Sequence, residues 1–334
     1  MMTQTASKPN RIKDFCVYLP AVFGLLLAAR FLPLIGTAAM FVWSLPVILC
    51  VIRDGLPWGA ALAAAAAALC FLLMGPGDGF LAAVIIAGFG FGYGAALKKK
   101  AAPGKTLLVG IIVSAALVAV YFLLAGILGL PAFDDVAAAV NESVDEFFEV
   151  YGSAGILDAA AAEGMTVQSY KAQLVSAMTG LLPSFFIVFV TAMAAVNYIF
   201  AQYVLKKRGE DIRALPPFEN WHLPWWTLWG VLIALMLLVF GNFFDREWMG
   251  TAARNIFCCY APVLLVGGVS LARWFFLRVK LSVGIQTVLW VIAFITMSFS
   301  MIFLILMGAA DTALDYRTAM EKRKNNLKNG GLKR

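Results

Sequence analysis

The chain has 334 residues, of which 62% are hydrophobic and 13% charged, with a formal net charge of +7. Soluble domains hold roughly a quarter charged residues, so this composition excludes an ordinary water-solvated globule and points to a chain solvated by lipid. The surplus Lys and Arg sit in short loops between apolar runs rather than along one stripe, which argues against nucleic-acid binding.

A bilayer-crossing helix needs ~20 mostly apolar residues, because the hydrocarbon core is ~30 Å thick and a helix rises ~1.5 Å per residue. Lipid offers the backbone no hydrogen-bond partner, so each such run must be helical. After a polar, basic stretch at 1–14, apolar runs occupy 15–31, 33–52, 56–74, 79–97, 106–130, 173–205, 224–243, 255–277 and 281–308. No small-x-small cleavage site follows the first run, so it is kept as a span rather than a signal peptide. The expected fold is all-α: a polytopic integral membrane protein with eight or nine transmembrane helices. Its divisions are a membrane core at 15–209, a linker at 210–223, further membrane helices at 224–310 and a basic tail at 311–334.

The positive-inside rule sets the orientation. With the N-terminus cytoplasmic, the inside loops hold Arg53, Lys98-Lys99-Lys100 with Lys105, Lys206-Lys207-Arg208 with Arg213, and Arg278 with Lys280. The long outer segment 131–172 holds eight acids and one base, Lys171. Nine crossings would leave the tail outside, although 317–334 carries seven bases. Either the tail is an exception or one run does not cross. The weakest is 255–277, interrupted by Pro262, Gly267-Gly268 and Arg273, which favours a re-entrant segment, eight crossings and an inside tail.

In the outer segment, Asp134 is placed to cap a helix in which Val136, Val140, Val144, Phe147, Phe148 and Tyr151 recur at helical spacing. This helix is either a lid over an outward cavity or a solvated connection, and Gly152, Gly155 and Gly164 loosen the second half of the segment. Pro20, Pro46, Pro183 and Pro262 interrupt spans, and Gly88/Gly92 and Gly90/Gly94 mark surfaces of close helix approach. In 215–226 (LPPFENWHLPWW) the tryptophans are interfacial anchors.

Recognisable chemistry is sparse. Gly104-Lys105-Thr106 lacks the earlier glycine and the strand of a phosphate-binding loop. One histidine, His222, cannot build a histidine-rich metal site, and the five cysteines fall in or beside apolar runs as packing residues. The sequence therefore assigns no catalytic residue, no metal and no cofactor, and the chain is not expected to be an enzyme. Asn197 with Thr191 forms a polar patch in the sixth run, of the kind that makes helix–helix hydrogen bonds.

These features resemble the YybS-like family of bacterial multi-pass membrane proteins. The resemblance rests on Pro46 with Arg53-Asp54-Gly55; Leu182-Pro183; Asn197-Tyr198; Pro216-Pro217-Phe218 with Trp221 and Leu223-Pro224; Asn255; Gly267; and Gly308 with Asp311, Asp315, Tyr316 and Arg317. It covers roughly 15–320; family members commonly carry Phe where this chain has Tyr316, and the acidic insert is not matched closely. The first six helices are further similar to the substrate-binding subunits of energy-coupling-factor vitamin transporters. That similarity implies six spans with both ends inside, a ligand held beneath outer loops, and docking to a partner membrane subunit through small residues of the first helix. Fold does not fix function. The expectation is a small-molecule-binding membrane subunit of the bacterial inner membrane, with Arg30, Trp43, Asp78, Tyr121 and Asn197 as ligand contacts and Gly24 and Ala28 as docking residues. The alternative is a non-transporting scaffold for envelope, cell-shape or division assembly.

Overall fold

A computed structural model describes residues 11–99, 102–128, 132–151, 166–209 and 215–320. Among these residues twelve helices of eight residues or more succeed one another: α1 (Arg11–Phe31), α2 (Pro33–Met40), α3 (Leu45–Asp54), α4 (Leu56–Met74), α5 (Pro76–Lys98), α6 (Pro103–Ile127), α7 (Ala132–Tyr151), α8 (Val167–Lys207), α9 (Leu228–Phe243), α10 (Glu247–Arg278), α11 (Val283–Ile295) and α12 (Met297–Leu314). Among the described residues nine helical stretches are long and apolar enough to cross a bilayer. The chain is an all-α polytopic membrane protein.

It divides into two units, Met1–Thr179 with Phe189–Ala214, and Gly180–Val188 with Leu215–Arg334. One stretch of α8 packs with the later helices, where Asn255 of α10 bonds to its backbone.

In the first unit the glycine pairs of α5 serve two neighbours. A Cβ at Gly90 or Gly94 would press on Val47 or Val51 of α3, and one at Gly88 or Gly92 would meet Leu117 or Val113 of α6. Small residues thus bring both helices close to α5, as expected where packing rather than water expulsion drives association. At the basic end of this unit, Arg53 Nη1 lies 3.3 Å from Asp14 Oδ1, and Arg208 donates to the Tyr18 hydroxyl at 2.9 Å. These contacts tie α1 to the ends of α3 and α8.

The amphipathic helix expected within 131–172 begins at Ala132, so Asp134 lies within its first turn and is not its N-cap. Val144 and Phe148, four residues apart, form its buried line, while Phe147 faces outward. Lys171, the base of that segment, pairs with Asp145 at 2.6 Å and sits 5.2 Å from the Phe148 ring. The glycines at 152, 155 and 164 lie outside the described residues.

In the second unit α9 and α10 form a tight antiparallel pair. Gly230 leaves room for the Tyr260 ring, and a Cβ at Gly241 would meet Met249 and the Gly250 backbone. The re-entrant expectation for 255–277 fails, because α10 runs unbroken through Pro262, Gly267 and Gly268. Its glycines are contact points instead: the Leu304 carbonyl occupies the place of a Cβ on Gly268, and the Leu264 carbonyl that of a Cβ on Gly308. The run 281–308 is the divided one, with α11 and α12 meeting at Thr296 (φ −94°, ψ 36°).

Candidate functional site

The second apolar run is two helices, not one. Pro46 has no N–H, so the ladder cannot close regularly across Phe41–Ser44. Tight bonds replace it: Val42 N–H to Ala39 C=O at 3.0 Å, and Leu45 N–H to Val42 C=O at 2.9 Å. A displaced carbonyl in an apolar interior needs a new donor. The Phe41 carbonyl finds one in Asn197 Nδ2, at 2.7 Å, and the same amide nitrogen donates to the Met193 carbonyl at 2.9 Å.

Opposite the break, α5 contains a π-helical turn over Val84–Phe89. Such turns are rare and recur at functional sites. The Ser44 hydroxyl donates to the Ile85 carbonyl within it at 3.3 Å, and further along α5 the Tyr93 hydroxyl donates to the Ala194 carbonyl, also at 3.3 Å. The broken helix, the π-turn and the α8 face carrying Asn197 thus converge, with Phe41 and Phe189 rings 5.3 Å apart beside them.

This cluster is buried and incompletely satisfied. Asn197 is fully buried and Trp43 is 5% exposed. Two carbonyls fix the Asn197 amide with its nitrogen towards them, so Oδ1 faces the other way, and there it meets no donor. The Trp43 indole N–H likewise has no acceptor. Leaving a buried polar group unmade costs about 1–3 kcal/mol, so each of the two calls for an explanation. Together they offer one donor and one acceptor, and both residues belong to the set expected from sequence.

The rest of that set lies elsewhere. Arg30 and Asp78 are exposed, and half-buried Tyr121 packs its ring 5.6 Å from Phe80. Gly24 is exposed with nothing near its Cβ position, whereas Ala28 packs against Gly36 through its carbonyl. The π-turn is not expected from the sequence pattern, whereas the break at Phe41–Ser44 is signalled by Pro46, although not its exact place.

A second constellation gathers in the other unit. Asn255 accepts from the Ser184 N–H at 3.0 Å and donates to the Gly180 carbonyl at 2.7 Å. Its carboxamide thus bridges the backbone pair flanking Pro183, and this holds Gly180–Val188 to α10. We expect Asn255→Leu to lower stability by about 1–3 kcal/mol, since it strips both groups of a buried partner. Thermal unfolding in detergent measures this, and an unchanged midpoint would show the bridge to be dispensable. Further along α10, Arg317 donates to Asp311 Oδ2 at 3.0 Å, to the Ser270 hydroxyl at 3.2 Å and to the Glu219 carbonyl. The Ser270 hydroxyl lies 2.7 Å from the carbonyls of both Phe218 and Trp221. Linker, α10 and the end of α12 are thereby fastened at one point. Among the described residues no group of three or more His, Cys, Asp or Glu side chains could hold a metal ion.

Comparison with known proteins agrees with this architecture. The family model described as predicted membrane protein, DUF2232, matches residues 21–312. The protein called uncharacterized protein YybS, from Bacillus subtilis (strain 168), is 24% identical over 224 residues, which is 65% of this chain and 67% of that one. No solved structure matches. The residues that carry the resemblance (Asn255 at the bridge to α8, Gly308 at the α10–α12 contact, Asp311 and Arg317 in the fastened cluster, Pro46 and Asn197 at the helix break) occupy the structurally exacting positions of both units. The chain belongs to the YybS-like family of predicted membrane proteins, DUF2232.

Proposed function

We propose that this protein is a small-molecule-binding membrane subunit of the bacterial inner membrane, with its N-terminus cytoplasmic and its ligand held at the break between α2 and α3. One observation carries the reading: the buried Trp43 N–H and Asn197 Oδ1 stand unpartnered beside a broken helix and a π-turn. Membrane proteins tolerate irregular backbone at depth where it lines a cavity or is buried in protein, and discontinuous helices supply substrate contacts in many transporters. An uncharged ligand with one acceptor and one donor suits this pair. Arg30, Asp78 and Tyr121 are not contacts of the ligand in this reading.

A partner-docking role for α1 is supported by exposed Gly24, which adjoins an apolar groove between Leu19, Pro20 and Phe23 of α1 and Ala65, Ala68, Leu69 and Leu72 of α4. Mild-detergent purification from native membranes, followed by mass spectrometry of bound proteins and metabolites, tests both parts. Wild type is expected to carry one stoichiometric metabolite, reduced at least tenfold in Asn197→Leu and in Trp43→Phe. Gly24→Leu is expected to lose a membrane partner and keep the metabolite. Recovery of envelope-assembly proteins with no metabolite in any preparation would overturn the reading in favour of the scaffold.

A further inference from the structure

The last apolar run, 281–308, is ample for one crossing, yet its contacts forbid a straight path. Near its start, Gln286 Oε1 accepts from Arg273 Nη1 at 2.6 Å. Further on, Gly308 lies against Gly268 and the Leu264 carbonyl. A straight helix would separate Gln286 from Gly308 by about 33 Å, whereas their partners Arg273 and Gly268 are about 8 Å apart along α10. The chain must therefore bend sharply between them, and the one irregular residue available is Thr296.

The register of α9 on α10 locates the two ends of the hairpin. Gly241 faces Met249, Gly230 faces Tyr260 and Leu223 faces Gly267, so the linker lies level with the later part of α10. The hairpin leaves from the C-terminus of α10, beyond that level. It returns to the same end, because Arg317 donates directly to the Glu219 carbonyl of the linker and to Ser270.

We infer that α11 and α12 form a re-entrant helical hairpin, entering and leaving by the membrane face that holds the linker 215–224, so that the tail from Arg317 onward lies on that face. The α11 leg is 13 residues, about 20 Å, too short for a ~30 Å hydrocarbon core. Its turn is apolar and uncovered, with Phe294, Ile295 and Phe299 at 77%, 75% and 82% exposure, which suits a tip that stops within lipid. The backbone irregularity there is softened by hydroxyls: Thr296 donates to the Ile292 carbonyl at 2.8 Å and pairs with Ser300 at 2.8 Å.

Charge supplies an independent argument. At the α9–α10 turn, Asp245 and Glu247 face Arg246 and Arg254 in equal numbers. The opposite end holds Arg278 and Lys280, and the hairpin adds the seven bases of 317–334 to it. That asymmetry is what the positive-inside rule requires, and it removes the conflict left by nine crossings. The inference does not depend on whether a ligand binds near Trp43.

Substituted-cysteine labelling in sealed vesicles tests it, in a background where Cys16, Cys50, Cys70, Cys258 and Cys259 are replaced by alanine. With an impermeant maleimide, Asn220→Cys and Ala319→Cys are expected to label from the same side, Arg246→Cys from the other, and Thr296→Cys from neither. Labelling of Ala319→Cys together with Arg246→Cys would overturn the hairpin, as would labelling of Thr296→Cys from the Arg246 side. If the background fails to accumulate, fusion of a fluorescent reporter and of alkaline phosphatase after Arg334 of the native sequence serves instead. Fluorescence without phosphatase activity is the expected result, and the converse overturns the inference.

Discussion

Alanine at Gly268 or Gly308 will force α10 and α12 apart and lower the stability of the second unit more than any other single methyl addition in it. At each position the atom in the way is a backbone carbonyl of the facing helix, Leu304 for Gly268 and Leu264 for Gly308. A side chain can rotate out of such a clash, but a helix backbone cannot, so the whole crossing must open. Overpacking costs of this kind run to about 1–3 kcal/mol and sometimes more. Helix contact in lipid has no expulsion of water to restore it, since the surrounding tails are as apolar as the core. The control lies on the same helix. Gly250 has nothing within reach of a Cβ, and alanine there gains about 1 kcal/mol of helix propensity. Thermal unfolding in one detergent should therefore move in opposite directions, down by several degrees for Gly268→Ala and Gly308→Ala and slightly up for Gly250→Ala. A Gly268→Ala protein as stable as wild type would refute the close crossing.

Much of this architecture is written plainly in the residues. Apolar runs of ~20 residues can only be helices in lipid, and Gly88/Gly92 and Gly90/Gly94 mark the two faces of α5 that their neighbours use. Acids almost without bases distinguish 131–172 from every other segment of the chain. The features that stay hidden share a cause. Chain reversal at Thr296 has no glycine or proline to announce it, because Thr and Ser hydroxyls satisfy the turn from within an unbroken apolar run. Conversely, Pro262 and Gly267-Gly268 resemble interruptions, yet α10 passes through them and uses Gly268 as a contact. Local propensity cannot tell a glycine that breaks a helix from one that admits a neighbour; only the partner decides. Asn197 shows the same limit at the candidate site. Its polarity in an apolar face is evident, but the carbonyl it holds is free only because Pro46 breaks a helix far earlier in the chain.

Removing the guanidinium of Arg317 should have the other large effect. Arg317 and Asp311 are 8% and 6% exposed, and Asp311 Oδ1 has no hydrogen-bond partner even with the arginine present. Arg317→Met strips the remaining oxygen of its charge partner and leaves a carboxylate enclosed with nothing to balance it. Breaking a buried pair from one side costs on the order of 3–5 kcal/mol. The same change frees the Glu219 carbonyl and the Ser270 hydroxyl, so the linker should loosen from α10 and from the end of α12. Arg317→Lys keeps the charge but not the planar fork that reaches three acceptors at once, and should recover only part of the loss. The double variant Arg317→Met/Asp311→Leu removes the stranded charge and should be more stable than Arg317→Met alone. Thermal unfolding of the three proteins, with limited proteolysis of 215–224 as a second readout, separates these effects. A double variant no better than Arg317→Met would mean that the tie to the linker, rather than the buried ion pair, is what holds α12 in place.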